Sequence, residues 1–215
     1  MQDRQSELRF PIWVLTNGDN MSALFSIAYL PPVSYLQKCM SNAIVLESRE
    51  HFVKQTYRNR CNIAGPNGKQ VLVIPVVHEN LATIPIKDVK ISYESHWNKI
   101  HWKSITSAYR NAPYFEYYED DFKELFMNPG EMLFDFNLQL LKMLFSFFKI
   151  SPEISFTNEF EKSVTHEDLR NQIHPKKNTT DTPNYHQVFE DRNGFIPDLS
   201  VIDYLFNAGN KLAGI

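Results

Sequence analysis

Leu24-Phe25-Ser26-Ile27-Ala28-Tyr29, closed by Pro31-Pro32 and answered by Ile44-Val45-Leu46, is the part of the chain from which the fold can be read. The first run is apolar, short and bounded by breakers, the pattern of a buried strand. Proline has no amide hydrogen for a strand ladder and restricts the residue before it, so Pro31-Pro32 ends that strand. A helix is expected over residues 33–41, with Tyr35, Leu36 and Met40 on its inner side. Ile44-Val45-Leu46 is wholly apolar, which suits a central strand. Strand, proline loop, helix and strand make a right-handed βαβ unit. In open α/β sheets ligands sit beyond the carboxyl ends of the strands, where Tyr29 falls.

Downstream, residues 52–63 concentrate polar chemistry. Lys54, Arg58 and Arg60 stand among Phe52, Tyr57, Gln55, Asn59 and Asn62. Asn67-Gly68 then marks a tight hairpin, because both residues tolerate positive φ. The returning strand, residues 70–76, is expected to pair antiparallel with residues 58–63. Strand alternation puts Arg58, Arg60 and Asn62 on one face and Asn59, Cys61 and Ile63 on the other. Arg58 alone reads as a solvated charge. The face that carries both arginines suits a carboxylate or phosphate held by bidentate contacts, and the density of donors singles out Arg60 with Asn59 and Lys54.

The remaining chain reads as elements packed around this start. Residues 86–92 alternate like a strand. Residues 94–112 form an amphipathic helix, with Trp97, Ile100, His101, Ser104 or Ile105, and Ala108 at helical spacing. His101 thus lies on the apolar side, where a histidine is either a satisfied core residue or, at a cleft, a general acid–base. Residues 113–128 form an acidic helix with Tyr114, Phe115, Phe122 and Phe126 inward. Residues 131–149 form a helix apolar nearly all round. Residues 161–184 are polar and rich in breakers, so they read as a long loop or a site lid. A last helix spans residues 199–207, with Ile202, Leu205 and Phe206 inward. Asp203 on that helix needs a cationic or hydrogen-bonding partner, for which Arg60 or Lys54 would serve. The fold class is therefore α/β: a mixed open sheet with an N-terminal βαβ unit, an antiparallel hairpin and several packed helices. One domain is expected over residues 21–215, with residues 1–20 an upstream or poorly ordered extension.

Composition excludes several classes. The 215 residues are 43% hydrophobic and 13% aromatic, enough for a substantial core. The formal net charge of −3 argues against general attraction to nucleic acid or an anionic membrane. Cys39 and Cys61 form no CxxC pair, and His166, His174 and His186 show no metal spacing, so neither a disulfide framework nor a metal site is expected. No apolar run reaches the roughly 18 residues that span a bilayer, and a cytoplasmic location is expected. Walker, GxGxxG, GxSxG and HExxH motifs are absent from the sequence.

Taken in order, these blocks resemble the WbqC-like family of bacterial proteins, nearest the forms seen in Bacteroidetes. The resemblance covers about residues 22–210. It is carried by Ala28-Tyr29-Leu30-Pro31 with Tyr35; by Lys54, Tyr57, Asn59 and Arg60; and by Asn67-Gly68 with Ile74-Pro75-Val76. It continues through His101-Trp102-Lys103-Ser104-Ile105 with Tyr109, Pro113, Tyr114 and Phe115. It closes with Gln187-Val188-Phe189, Phe195-Ile196-Pro197-Asp198-Leu199-Ser200, Asp203 and Leu205-Phe206-Asn207. Ile27-Ala28 replaces the family's opening Gln-Pro. Glu47-Ser48-Arg49-Glu50 stands where many relatives carry an acidic pair. A cysteine at the Cys61 position is not general in the family, which counts against a Cys61 nucleophile.

The resemblance implies work on surface polysaccharide of the O-antigen type, through acyl or aminoacyl transfer to a nucleotide-linked amino sugar. On that reading Arg60, Lys54 and Asn59 bind an anionic group, and His101 is the general base for the attacking amine. Tyr29 and Tyr109 orient or stack the substrate, with Trp102 and Gln187 beside them. Asp203 sets a histidine tautomer or anchors Arg60. The alternative is a sugar- or nucleotide-binding protein without chemistry, or a scaffold of a polysaccharide-assembly complex. A nucleotidyl-transfer reading lacks the paired histidines that such enzymes carry after the first strand. The partner implied is a small sugar or nucleotide sugar; the cofactor and the oligomeric state are unknown.

Overall fold

The computed structural model describes residues 22–77, 81–160, 162, 164, 167–177 and 182–211. The expectation for residues 1–20 lies outside them. Strand β1 (Ser22–Ser26) runs parallel to β2 (Ala43–Glu47), in register from Ser22↔Ala43 to Ser26↔Glu47. Helix α1 (Val33–Met40) connects them and completes the expected βαβ unit. Pro32 occupies the position before the first turn, where a fixed φ of −67° and a missing N–H do no harm. Leu30, at φ 40°, turns the chain into the two prolines, a strained conformation for a non-glycine residue. The Ser34 amide, one of the helix's orphan donors, is satisfied by Asp198 Oδ1 at 3.1 Å.

β1 is shorter than its apolar run. After Ser26 the backbone changes partners, and the Tyr29 amide donates to the Tyr57 carbonyl rather than to a strand. Ile27 to Leu30 stay buried, so the apolar signal marks core rather than ladder.

The sheet has the order β5-β2-β1-β6 and is parallel throughout. Of its outer strands, β5 (Ile154–Phe156) lies where no element was expected, and β6 (Glu167–Asp168) lies in the stretch expected to be a loop. Three and two residues carry no periodicity, and β6 is wholly acidic. Short, charged edge strands are a known protection against unwanted pairing. From β1 the chain first turns one way to β2 and later returns to the other side as β6. The carboxyl edge between β1 and β6 is thus a topological switch point, the usual place for a ligand in such sheets.

The hairpin β3 (Arg60–Gly65) and β4 (Gly68–Val73) forms a second, antiparallel sheet. Its turn residues are Pro66 and Asn67. Of the expected pair Asn67-Gly68, only Gly68 takes positive φ, at 104°.

Helices α2 (Trp97–Tyr109), α3 (Phe115–Met127) and α4 (Leu133–Phe147) are followed by the short α5 (Glu190–Asn193) and by α6 (Val201–Ala208). α2 packs on α3 and β3, and α6 on α1, α3 and β3. Phe115, Phe122, Phe126, Phe136 and Phe206 are fully enclosed between these elements. Each such ring contributes roughly 1.5–3 kcal/mol by leaving water. Three inward assignments fail: Ile100 is 55% exposed, and Met40 and Tyr114 also face solvent. Each sits at the margin of its helix's apolar stripe. Residues 86–92 are not a strand. Ile86–Asp88 is a 3-10 turn, followed by isolated bridges at Lys90 and Ile91. Ile86, Val89 and Ile91 are buried, a spacing of three and then two rather than strict alternation. Among the described residues no helix is long and apolar enough to cross a membrane.

Candidate functional site

The carboxyl ends of β1, β2 and β6 deliver Ser26, Glu47 and Asp168 to one edge, and the chain beyond them adds Glu50, Arg58 and Arg170. Arg58 Nε donates to Glu50 Oε1 at 2.8 Å and its Nη2 to Ser26 Oγ at 2.6 Å; Nη2 also meets Glu50 Oε2. Arg170 grips Asp168 through Nε at 2.9 Å and Nη2 at 2.6 Å, and its Nη1 reaches Glu47 Oε2 at 3.2 Å. Thr157 Oγ1 and the Arg49 amide satisfy Glu47 Oε1 at 2.6 and 2.8 Å. Glu47, Glu50, Arg58 and Arg170 are all buried. Buried charges persist only when paired and hydrogen-bonded, as these are. Arg58 is therefore not the solvated charge that strand alternation indicated. It is locked into a buried ion pair, because the chain turns inward before β3 begins.

This cluster is a scaffold rather than a receptor, since two guanidinium groups are already held by three carboxylates. The cavity between Ser26, Tyr35, Tyr57, Arg58 and Arg170 measures about 10 Å³, room for one water. A larger cavity of about 650 Å³ lies elsewhere, over Leu24, Val45, Ser155 and Phe156; among the described residues its lining includes Glu153 and Glu159 and no cation.

Two arginines are half-buried, form no ion pair among the described residues and keep a buried Nε without a hydrogen-bond partner: Arg49, just past β2, and Arg60, the first residue of β3. His174, four residues beyond Arg170, lies in the same electrostatic neighbourhood. Partial burial, then Lys176, Lys177, Arg58 and Arg60, hold its pKa below the ordinary 6.5. Its Nδ1 accepts the Lys176 backbone N–H at 3.2 Å. Lys54 is exposed on the preceding turn. Arg170 and His174 come from the stretch expected to be a loop, and neither was singled out as a site residue from the sequence.

The other expected site residues form separate groups. The Tyr29 hydroxyl lies 2.9 Å from His101 Nδ1, and Trp97 stands edge-on to the imidazole at 5.2 Å between ring centroids. A backbone hydrogen bond at Val73 engages the ring as well. That bond raises the imidazole pKa, so the ring donates it, and Nδ1 accepts from the phenol. Burial outweighs it and holds His101 down to about 4, so the ring is neutral near pH 7. Val73 is the register partner of Arg60, yet His101 is only 4% exposed and does not line the cavity beside Arg58. Asn59 spends its amide on the Ile74 carbonyl at 2.8 Å and leaves Oδ1 buried and unpartnered. Trp102 stacks on Phe115 and Phe126 between α2 and α3.

Asp203 is fully buried, and its partners are not Arg60 or Lys54. Oδ2 accepts the Tyr185 hydroxyl at 2.7 Å and Gln187 Nε2 at 3.2 Å. The Tyr109 hydroxyl is close enough to lower the acid's pKa, although Oδ1 keeps no hydrogen bond of full geometry. Tyr109 also accepts the Ala64 amide at 3.0 Å, tying α2 to β3. Burial dominates and pushes Asp203 up to about 6. A cation was expected because a buried carboxylate needs compensation; two phenols and an amide supply it instead. Cys61 is fully buried, and burial pushes its thiol pKa far up, the opposite of an activated nucleophile. Among the described residues no group of three or more His, Cys, Asp or Glu is placed to hold a metal ion.

Fold and site together define an α/β protein with a parallel sheet whose carboxyl edge carries a buried cluster of ion pairs. The chain belongs to the WbqC-like protein family, whose family model matches residues 28–181. That span holds Glu47, Glu50, Arg58, Arg60, Asp168, Arg170 and His174, and ends before Tyr185 and Asp203. No curated protein and no solved structure matches the chain.

Proposed function

We propose that the rim at the carboxyl edge of the parallel sheet receives the phosphate of a nucleotide-linked sugar. The protein then serves surface-polysaccharide synthesis by acyl or aminoacyl transfer to that sugar's amine. The observation that carries this reading is Arg60, a half-buried guanidinium with no ion-pair partner among the described residues and a buried Nε without a hydrogen-bond partner. A partly desolvated arginine without a carboxylate favours an external planar anion, which it binds bidentately. Family membership supports the sugar half of the proposal.

Transfer needs a base for the amine. His101 is neutral, but it is buried and both ring nitrogens are engaged, and a pKa of about 4 makes it a weak base near pH 7. It reaches a substrate only if the wall of Tyr29, Trp97 and Val73 opens. That enclosure favours a second reading, in which the nucleotide sugar is bound without chemistry for a polysaccharide-assembly complex.

Thermal unfolding with a panel of nucleotide sugars tests the proposal. Saturation at one hundred times the dissociation constant adds about 2.7 kcal/mol to the stability. A shift with amino-sugar nucleotides that disappears in Arg60→Ala supports the site; no shift with any member of the panel rejects it. Mass spectrometry of the bound sugar after incubation with acyl or aminoacyl donors then separates the readings. A mass gain supports transfer, and an unchanged sugar supports binding alone.

A further inference from the structure

We propose that the face of the β3–β4 hairpin that carries Arg60 also holds the base of the nucleotide, against Val71 and Val73. The inference rests on the anion reading above and names what binds beside the phosphate. Register places Val73 opposite Arg60 and Val71 opposite Asn62, and residues opposed in an antiparallel pair share a face. The Ile74 amide donates to the Asn59 carbonyl at 2.7 Å. The next pair, Arg60 and Val73, is therefore of the non-hydrogen-bonded kind, with Cα atoms only about 4.5 Å apart. Val71, on the diagonal, stands about 7–8 Å from Arg60. The two sides of this face differ. On the β3 side Asn62 is buried; its Nδ2 donates to the Tyr57 hydroxyl at 3.4 Å, and its carbonyl accepts the Ser200 amide at 2.7 Å. On the β4 side Val71 and Val73 are 48% and 41% exposed, while Leu72 between them points inward at 4%. Arg60 is half-buried beside this exposed apolar surface. A cation next to two uncovered aliphatic side chains is complementary to an anion carried on a flat, weakly polar ring. The guanidinium takes the phosphate, and the valines cover one side of the base.

Isothermal titration at pH 7.5 with uridine diphosphate and with methyl diphosphate, which lacks the base, tests this. The proteins are the wild type, Arg60→Ala and the double variant Val71→Thr with Val73→Thr. Threonine keeps the branched shape that strands favour and replaces one methyl group by a hydroxyl, so the unfolding temperature is expected to match the wild type. The wild type is expected to bind uridine diphosphate about tenfold more tightly than methyl diphosphate. The double valine variant is expected to lose about fivefold for uridine diphosphate and nothing for methyl diphosphate. Arg60→Ala is expected to weaken both ligands. Equal affinity of the wild type for the two ligands overturns the base assignment and leaves the anion site standing. So does a double valine variant that binds uridine diphosphate as the wild type does, or that weakens both ligands alike. Binding of neither ligand by the wild type overturns the anion reading as well.

Discussion

Replacing Asp203 by asparagine should stabilise the protein at alkaline pH and lose that advantage in acid. Asp203 is fully buried on α6, and its ionised form is compensated by the Tyr185 hydroxyl and the Gln187 amide with no cation among its hydrogen-bond partners. Burial raises its pKa from 3.8 to about 6. At about 1.4 kcal/mol for each pH unit, that shift corresponds to about 3 kcal/mol. The direction follows from proton binding. Between pH 6 and 3.8 the folded state holds a proton that the unfolded state has released, so the carboxyl group adds stability as the pH falls through 6. Above pH 6 the folded protein bears the full cost of a buried charge. Asparagine removes the charge, and its carbonyl can still accept from Tyr185 and Gln187. The stability difference between Asp203→Asn and the wild type should therefore shift by about 3 kcal/mol in favour of the variant between pH 4 and pH 8. Using the pH dependence of the difference cancels any constant cost from the asparagine N–H. Urea unfolding of both proteins at pH 4, 5, 6, 7 and 8 measures it. A difference independent of pH, or one that favours the wild type increasingly towards pH 8, would refute the reasoning.

The scaffold beneath the rim gives a second test. Arg58→Met strands Glu50 in a buried site and should cost about 3–5 kcal/mol in urea unfolding, whereas Arg58→Met with Glu50→Gln should recover part of it. Tyr29→Phe leaves His101 Nδ1 without its donor and should cost about 1–3 kcal/mol, with uridine diphosphate binding unchanged. His101 also makes stability fall with pH. Its pKa in the folded protein, about 4, lies below the ordinary 6.5, so the unfolded state takes up the proton first, and up to about 3 kcal/mol is lost between pH 6.5 and pH 4. His101→Asn should flatten that part of the profile, and a profile identical to the wild type would contradict the buried, neutral assignment.

The start of the fold was legible because its signals are local. An apolar run, two prolines and a second apolar run suffice for β1, α1 and β2, and Pro66-Asn67-Gly68 marks the β3–β4 turn. β6 was not legible, because Glu167 and Asp168 owe their strand geometry to the backbone of Ala23 and Leu24, far away in sequence. The site divides in the same way. Arg60 stood out through the donors around it. Arg58 was misread, because alternation along a strand does not report that Glu50 and Ser26 enclose its guanidinium. Arg170 meets Glu47 across 123 residues of sequence, a pairing no local pattern encodes. His101 beside Trp97 followed from helical spacing, but its hydroxyl partner Tyr29 and its enclosure depend on how α2 docks against β3.

The central claim is that Arg60 is the anchor for a phosphate-bearing ligand at the carboxyl edge of the sheet. The most direct measurement is a calorimetric titration of a uridine diphosphate-linked amino sugar into wild-type protein and Arg60→Ala, repeated at low and high salt. The account predicts saturable binding by the wild type that weakens as salt rises, and at least a tenfold loss in a variant with an unchanged unfolding temperature. Equal affinity in the two proteins, or no binding by the wild type, would contradict it.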